Sequence, residues 1–413
     1  MKIRVKRLFM WFYPGIGIKR WIGLGTFGVI LLVIGSGGLR SEDFFIIQIL
    51  DLIILFCGIV LLILGIKRLM GSFINAVIPS SGQEELVGIL YHRKQLSRGP
   101  KIVAIGGGTG LAMLLTGLKE YSSNISAIVT VADDGGSSGR LRQQFDILPP
   151  GDIRNCLVAL ADASTMMREL FQFRFEEGSD LAGHSFGNLF ITVMTRLTGD
   201  FEKAVRETSK VLALRGQVIP STLDKVTLAA RHKDGSVTEG EYKIPLARLP
   251  IDNVYLKPEH PQAAPEAIKA IEEAEIIVLG PGSLYTSIIP NLLIKEITDK
   301  IVNSKAIKAY VCNVMTQPGE TDGFTASRHI RALTQHSHAR VIDYCIVNTG
   351  KIPGDILKRY ESENAYPVLN DRKIVENMGY RVIEDDTVFL ESDMVRHDPL
   401  KLAKIILGFM DEI

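Results

Sequence analysis

The sequence predicts an α/β protein with a Rossmann-like, doubly wound, mostly parallel sheet, an added antiparallel hairpin, and a preceding α-helical transmembrane hairpin. Two observations carry this prediction. Apolar runs at 102–105 and 275–279 each pass through a glycine-rich turn into a helical pattern, as buried parallel strands do. Two long apolar stretches, at 21–39 and 44–66, precede them and hold at most one charged residue each.

Length and composition narrow the class of protein. At 413 residues the chain exceeds one typical domain, and its net charge of +1 offers no electrostatic argument for nucleic acid as a partner. The cysteines at 57, 156, 312 and 345 lack the spacing of a zinc site or a disulfide framework. We therefore expect reduced, buried cysteines in a cytosolic body.

The first 70 residues are predicted to form a transmembrane helical hairpin. Each apolar stretch can cross a hydrocarbon core of about 30 Å. Basic residues flank the pair at 2, 4, 6, 7, 19, 20, 67 and 68, whereas the link at 40–43 is acidic overall. The positive-inside rule then places both ends in the cytoplasm. A cleaved signal peptide fits less well, because a second apolar span follows.

Three segments result. Residues 1–70 form the hairpin, 71–100 a partly helical linker, and 101–413 the ligand-binding domain. The protein is thus expected at the plasma membrane, as a multi-pass protein with its main domain in the cytoplasm.

The domain opens with a strand, a glycine turn and a helix. The turn consists of Gly106, Gly107, Gly108, Thr109 and Gly110, and the helix is predicted over 111–118. Bare backbone N–H groups at a helix N-terminus bind phosphate well. An ordinary tight turn without a ligand is the alternative.

A second predicted strand, at 125–131, runs into paired acids and a small polar loop. Carboxylates at the carboxyl end of a parallel strand bind ribose hydroxyls or a metal, and small residues offer donors to phosphate. A solvated turn is the alternative. The residues concerned are Asp133, Asp134, Gly135, Gly136, Ser137 and Ser138.

Two predicted helix starts follow. Asp152 can cap a helix over 153–161, from whose first turn Arg154 and Asn155 project toward a phosphate or a sugar edge. His184 and Asn188 precede an apolar helix at 189–197, where the histidine is either a ligand contact or structural.

Residues 226–232 and 239–244 alternate around a Lys-Asp-Gly-Ser turn and predict the antiparallel hairpin. A second glycine turn then carries Gly280, Gly282 and Ser283 into a helix near 288–294. The strand at 309–314 ends near Asn313, Thr316 and Gln317. A late strand is predicted at 344–347 and ends at Asn348-Thr349-Gly350. In all, five predicted strands end in glycine or small polar loops, and we expect these loops to converge on one pocket.

These segments together resemble a known family. IGGGTG, VADDGGSSGRLR, PPGDIRN, GHSFGN, GPGSLYTSIIPNLL and NVMTQPGETDGF are similar to motifs of the YvcK family. That family is also called the gluconeogenesis factor or UPF0052 family, and it is related to the CofD-like 2-phospho-L-lactate transferases. The resemblance runs from about residue 101 to the C-terminus, so the N-terminal hairpin lies outside it.

The resemblance implies a regulator that binds a UDP-sugar such as UDP-N-acetylglucosamine and affects cell shape and cell-wall and carbon metabolism. It implies contacts from residues 106–110 to the nucleotide, from Asp152, Arg154 and Asn155 to the diphosphate or sugar, and from His184 and Asn188 near the sugar. Residues 280–283 and 313–317 would close the pocket. Cell-wall synthesis proteins are expected partners, and a homo-oligomer is expected.

Whether the chain is an enzyme stays open at this stage. In the alternative function, a Mg²⁺-dependent nucleotide-diphosphate-dependent transferase, Asp133 and Asp134 would be catalytic and would hold the metal. The segments GGSSGRLR and PPGDIRN resemble the regulators more than the transferases. A nicotinamide-dependent oxidoreductase fits poorly, since GGGTGLA matches the dinucleotide fingerprint only loosely.

Overall fold

The computed structural model describes residues 18–38, 45–77, 93–176, 178, 180–391 and 394–412. The chain divides into two compact units, Met1–His92 and Arg93–Ile413. The predicted basic N-terminus, the acidic link at 40–43 and most of the predicted linker lie outside the described residues.

The first unit is a pair of long apolar helices, α1 (Ile18–Gly38) and α2 (Phe45–Val77). Segments Arg20–Gly37 and Ile46–Ser72 are long and apolar enough to cross a membrane, with mean hydropathies of 1.5 and 3.1. The helices pack through glycines: a Cβ added at Gly28 would lie 2.8 Å from the backbone nitrogen of Leu62. Such close approach of backbones is typical of helices that associate in lipid.

The second unit is built on a sheet whose strands are all parallel, in the order β10-β9-β8-β7-β1-β2-β3. The central strands are uniformly apolar and buried, as parallel strands covered on both faces must be. The strands are β1 (Ile102–Gly106), β2 (Ile125–Val129), β3 (Gln217–Pro220), β7 (Ile276–Leu279), β8 (Ile307–Val311), β9 (Tyr344–Asn348) and β10 (Arg381–Asp385).

The order of the strands reverses at β1, which lies between β7 and β2. In doubly wound sheets, the loops at the carboxyl ends of the strands part at such a reversal, and a crevice opens there. The predicted Rossmann-like fold class is therefore confirmed, and the topology places the crevice between the two glycine turns.

Helices cover both faces of the sheet. The first six are α3 (Gly108–Leu118), α4 (Gly136–Phe145), α5 (Gly151–Leu160), α6 (Thr165–Gln172), α7 (Phe186–Thr198) and α8 (Phe201–Val211). The later ones are α9 (Lys243–Ala247), α10 (Pro265–Glu273), α11 (Ile289–Leu292), α12 (Lys295–Asn303), α13 (Ala326–Gln335), α14 (Gly354–Ser362), α15 (Arg372–Asn377) and α16 (Pro399–Gly408).

The first and last of the domain's helices, α3 and α16, pack against each other. A Cβ added at Gly117 of α3 would lie 1.9 Å from the carbonyl oxygen of Pro399. The absence of a side chain at this position lets the two backbones touch.

The antiparallel part differs from the prediction. It is a three-stranded sheet of β5-β4-β6, with β4 (Thr227–His232), β5 (Val237–Glu239) and β6 (Ile251–Lys257). The strand expected over 239–244 ends at Glu239, and the chain turns there into α9. A further antiparallel ribbon, β11 (Val388–Glu391) and β12 (Met394–His397), follows the main sheet.

Candidate functional site

A cavity of about 520 Å³ opens at the carboxyl ends of β1, β2, β7 and β8. Many of the residues that were predicted to form a pocket line this cavity. The predicted residues that line it are Gly107, Gly108, Thr109, Gly110, Asp133, Asp152, Gly282, Ser283, Asn313, Thr316 and Gln317. Its volume is within the range of small-molecule sites.

Two glycine turns form the floor of the cavity and touch each other. A Cβ added at Gly110 would lie 2.6 Å from the carbonyl oxygen of Pro281, and one at Gly282 would lie 3.3 Å from that of Gly107. Gly108 has a φ of +65°, a conformation that side chains disfavour. The floor is therefore bare backbone that a ligand can approach closely.

Hydrogen bonds tie the second glycine turn to the loop after β8. The Gln317 side chain donates to the Ser283 hydroxyl at 2.7 Å, and the Asn313 amide donates to the Gln317 side-chain oxygen at 3.2 Å. These polar side chains are thus held in fixed positions along one wall of the cavity.

Asp152 does not cap its helix. Helix α5 begins at Gly151, with Pro150 at the N-cap position and no side-chain cap, and the Asp152 carboxylate instead accepts from the backbone N–H of Gly108. A Cβ at Gly107 would lie 2.6 Å from this carboxylate. Burial, and then the charge of Asp133, raise the pKa of Asp152 to about 7.

The two adjacent aspartates, Asp133 and Asp134, have different surroundings. Asp133 lines the cavity and accepts from the backbone N–H of Gly135 at 2.9 Å; burial raises its pKa. Asp134 does not line the cavity, and its carboxylate accepts from the backbone N–H of Tyr242 at 2.9 Å.

The predicted metal site rests on these two acids. Within the described part of the chain, no group of three or more His, Cys, Asp or Glu side chains is placed to hold a metal ion. Asp133 alone suits Mg²⁺ that is held mainly by ligand phosphates and water, where one carboxylate suffices.

Five other residues that were predicted to contact the ligand do not line the cavity. They belong to a separate, largely buried hydrogen-bond network. The Ser137 hydroxyl lies 2.9 Å from His184 Nδ1 and accepts from the Asn188 amide at 3.0 Å. Arg154 donates to the Ser185 hydroxyl at 2.5 Å and to the Asn155 side chain at 2.6 Å. This network joins α4, α5 and α7.

Five further predicted residues act as supports. Gly106 ends β1, Gly280 follows β7 with a φ of +78°, and Gly136 begins α4. The Tyr242 ring packs on Gly135, and Ser138 hydrogen-bonds to Asp133. None of the five lines the cavity.

Two glutamates near the cavity were not anticipated. Glu241 lines it, and burial followed by the charges of Asp133 and Asp152 raises its pKa to about 8. Glu320 is buried behind Thr286, whose hydroxyl donates to it at 3.2 Å, and burial raises its pKa to about 7. Glu320 could have been predicted, because it shares a turn with Gln317, which was predicted to line the pocket. Glu241 could not, because it lies in a stretch that was expected to be a strand.

Another part of the cavity wall comes from residues far along the chain. Arg396 and His397 of β12 line the cavity together with Tyr360 of α14. Both ring nitrogens of His397 are engaged, by the Thr387 hydroxyl at 2.9 Å and the Cys312 carbonyl at 3.0 Å, and burial lowers its pKa to about 4. His397 is therefore neutral and structural.

Arg396 is the only lysine or arginine among the described residues that line the cavity. Its side chain is 21% exposed, and Nε lies 3.3 Å from Glu391 Oε2. No sequence motif indicated it, since it lies in a short two-stranded ribbon. It supplies the cation that an anionic ligand would meet.

The buried acids make stability depend on pH. Asp152, Glu241 and Glu320 have pKa values raised to about 7, 8 and 7, so the folded state holds their protons more tightly than the unfolded state. Their contribution to the free energy of unfolding is complete below about pH 4 and is lost as the pH rises through 7 to 8.

We expect Asp152→Asn to reduce the loss between pH 5 and 8 by about 1–4 kcal/mol. Thermal unfolding in detergent at both pH values measures this, and an unchanged difference would contradict it.

Comparison with known proteins gives the family of the chain. The family profile described as "2-phospho-L-lactate transferase CofD" matches residues 102–388. The chain belongs to the CofD family. A Bacillus subtilis relative, named gluconeogenesis factor, is 50% identical over 313 residues, which are 76% of this chain and 99% of that protein.

Another relative matches nearly the whole chain. A Nostoc sp. protein, also named as a gluconeogenesis factor, is 47% identical and covers 98% of this chain and 93% of its own length. A crystal structure of a UPF0052-family protein from Bacillus halodurans is 46% identical, with a TM-score of 0.72, and covers 74% of this chain and 99% of that one. The predicted relationship to the gluconeogenesis factors is therefore confirmed.

Proposed function

We propose that this CofD-family protein binds a UDP-sugar, such as UDP-N-acetylglucosamine, at the cytoplasmic face of the membrane. In this proposal it acts as a regulator of the gluconeogenesis factor type, affecting cell shape and cell-wall and carbon metabolism through protein partners such as cell-wall synthesis proteins. The observation that supports it best is that two bare glycine turns and Arg396 line the same cavity.

The chemistry of the cavity suits a nucleoside diphosphate joined to a sugar. Backbone N–H groups of the glycine turns and the Arg396 guanidinium are the donors that a diphosphate requires. Asn313, Thr316 and Gln317 present amide and hydroxyl groups for sugar hydroxyls. The raised pKa values of Asp152 and Glu241 reduce negative charge beside the phosphates near neutral pH.

Titration calorimetry of the full chain in detergent tests this function. The ligands are UDP-sugars, GDP, GTP and NAD, each with and without Mg²⁺. We expect saturable binding of a UDP-sugar in preference to the others. If no uridine nucleotide binds, the proposed function fails.

Helices α1 and α2 supply the proposed tether. Both are long and apolar enough to cross a membrane, and the flanking basic residues favour a cytoplasmic domain. A C-terminal fluorescent fusion is expected at the cell periphery. A fusion that spreads through the cytoplasm and washes off membranes would refute the tether.

A second candidate is a Mg²⁺-dependent transferase resembling the 2-phospho-L-lactate transferases. Asp133 in the cavity favours it, because this carboxylate can share Mg²⁺ with a diphosphate. Asp133→Asn should then abolish a Mg²⁺-dependent reaction, whereas Asp134→Asn, outside the cavity, should retain most of it. Binding of a nucleotide without turnover over hours would count against an enzyme.

A further inference from the structure

Strand β3 forms one edge of the main sheet and, among the described strands, pairs only with β2. The backbone N–H of Ser221 donates to the carbonyl oxygen of Val129 at 2.8 Å. Because backbone groups alternate in direction along a strand, the odd-numbered residues of β3 face β2, and Gly216 and Val218 face away from it. In the described part of the chain, no further backbone hydrogen bond reaches the Gly216 carbonyl or either backbone group of Val218. The edge of β3 therefore presents unpaired donors and acceptors.

A second cavity, of about 710 Å³, lies along this edge. The whole segment 213–219 lines it, Gly216 and Val218 included. Helix α8 forms another wall, since the lining positions 202, 206, 209 and 210 lie on one face of that helix. A groove between a free strand edge and a helix has the shape that an extended peptide fills when it adds a strand to a sheet.

The charge that lacks a partner in this cavity is negative. Glu202 of α8 and Glu266 of α10 both line it, and burial followed by the charge of Glu266 raises the pKa of Glu202. Glu266 Oε2 is buried without a hydrogen-bond partner among the described residues. Arg206 Nη1 lies 3.6 Å from Glu202 Oε1. In contrast, no described lysine or arginine forms an ion pair with Glu266.

The other charged side chains that line this cavity are already paired. A ligand that brings a positive charge therefore gains the unpaired carboxylate of Glu266, whereas an acidic ligand must first compete for a cation. The pairs are Arg93 with Asp162 at 3.8 Å, Arg215 with Asp162 at 2.7 Å, and Lys210 with Glu207 at 2.7 Å.

We propose that the edge of β3 binds an extended peptide segment of a partner protein. The segment adds a strand through Gly216 and Val218 and places a lysine or arginine side chain beside Glu202 and Glu266. Hydrogen bonds to the strand edge supply affinity, and the two carboxyl groups select the basic side chain. Because this surface shares no residue with the first cavity, a peptide can bind here whether or not a UDP-sugar binds there.

A phage library of random nonapeptides, panned against the full chain in detergent, supplies the probe. We expect the enriched peptides to share one lysine or arginine, and a synthetic copy to bind in a fluorescence polarisation assay. Its backbone nitrogens are then methylated one at a time. Methylation should weaken binding at least tenfold at alternate positions and less than twofold between them, because only one edge of an added strand faces β3. Replacing the basic residue by norleucine should also weaken binding at least tenfold.

The double variant Glu202→Gln with Glu266→Gln should bind the peptide at least tenfold more weakly. The matched control is Glu207→Gln with Glu272→Gln, which makes the same changes on α8 and α10 at positions that do not line the cavity. It should bind like the parent, and thermal unfolding checks that both variants are folded. The proposal is overturned if no peptide is enriched, if the enriched peptides lack a basic residue, if methylation shows no alternation, or if the first double variant binds like the parent.

Discussion

Gly117→Ala is expected to destabilise the domain by about 3 kcal/mol or more and to lower the Tm by about 5–15 °C. The added Cβ would lie 1.9 Å from the Pro399 carbonyl oxygen and 2.5 Å from its carbon. Both atoms are backbone, so no side-chain rotation can relieve the overlap. Helices α3 and α16 must separate, and buried contacts of Leu402 and Ile406 are lost with them.

Gly408→Ala is the matched control, since Gly408 ends α16 and has no atom within 4 Å of an added Cβ. Alanine there should stabilise the chain by about 0.5–1 kcal/mol, because it restricts the unfolded state and favours the helix. Thermal unfolding of the detergent-solubilised chain separates the two variants. Equal Tm values for Gly117→Ala and Gly408→Ala would contradict the helix contact described here.

Arg396→Ala is expected to weaken UDP-sugar binding by about 10- to 100-fold, since a hydrogen bond to a charged group contributes about 1.5–3 kcal/mol. No other lysine or arginine among the described residues lines the cavity to compensate. The expected Tm changes little, because the side chain lies at the cavity and its one ion pair is with the half-exposed Glu391. Titration calorimetry with the preferred UDP-sugar measures the effect.

Two comparisons sharpen this experiment. Arg396→Lys keeps the charge but loses the planar fork, so it should recover only part of the affinity. Lys373→Ala removes an exposed cation of α15 that does not line the cavity, and it should bind like the parent. Full affinity in Arg396→Ala would show that the diphosphate does not lie against this wall.

The sequence predicted the parts of the fold that local pattern determines. Strands β1 and β7 and their glycine turns were expected almost residue for residue, because an apolar run followed by glycines has few other structures. Strand β3 was not expected: it has four residues and ends in Pro220, so it offers too little periodicity. Strand β6 was not expected either, because its apolar and polar residues alternate only weakly. It forms by pairing with β4.

The candidate site, too, was predictable only where it depends on local sequence pattern. Residues in the glycine turns were predicted to line a pocket, and all but Gly106 and Gly280 do line the cavity. Arg396 and Glu241 could not be placed, because long-range folding brings them to the cavity from a ribbon and a turn without a motif. The Ser137–His184–Asn188 network lies apart from the cavity, since spacing along the chain does not report the direction of a side chain.

The contact between α3 and α16 also bears on how the domain is made. The helix that follows the first glycine turn is covered by a helix about 290 positions later, and β12, just before it, provides the cation of the cavity. Contacts so distant along the chain form late, because loop closure must precede them. During synthesis the ribosome must therefore deliver nearly all of the domain before a ligand can be held, and a nascent chain shorter than this has no finished pocket.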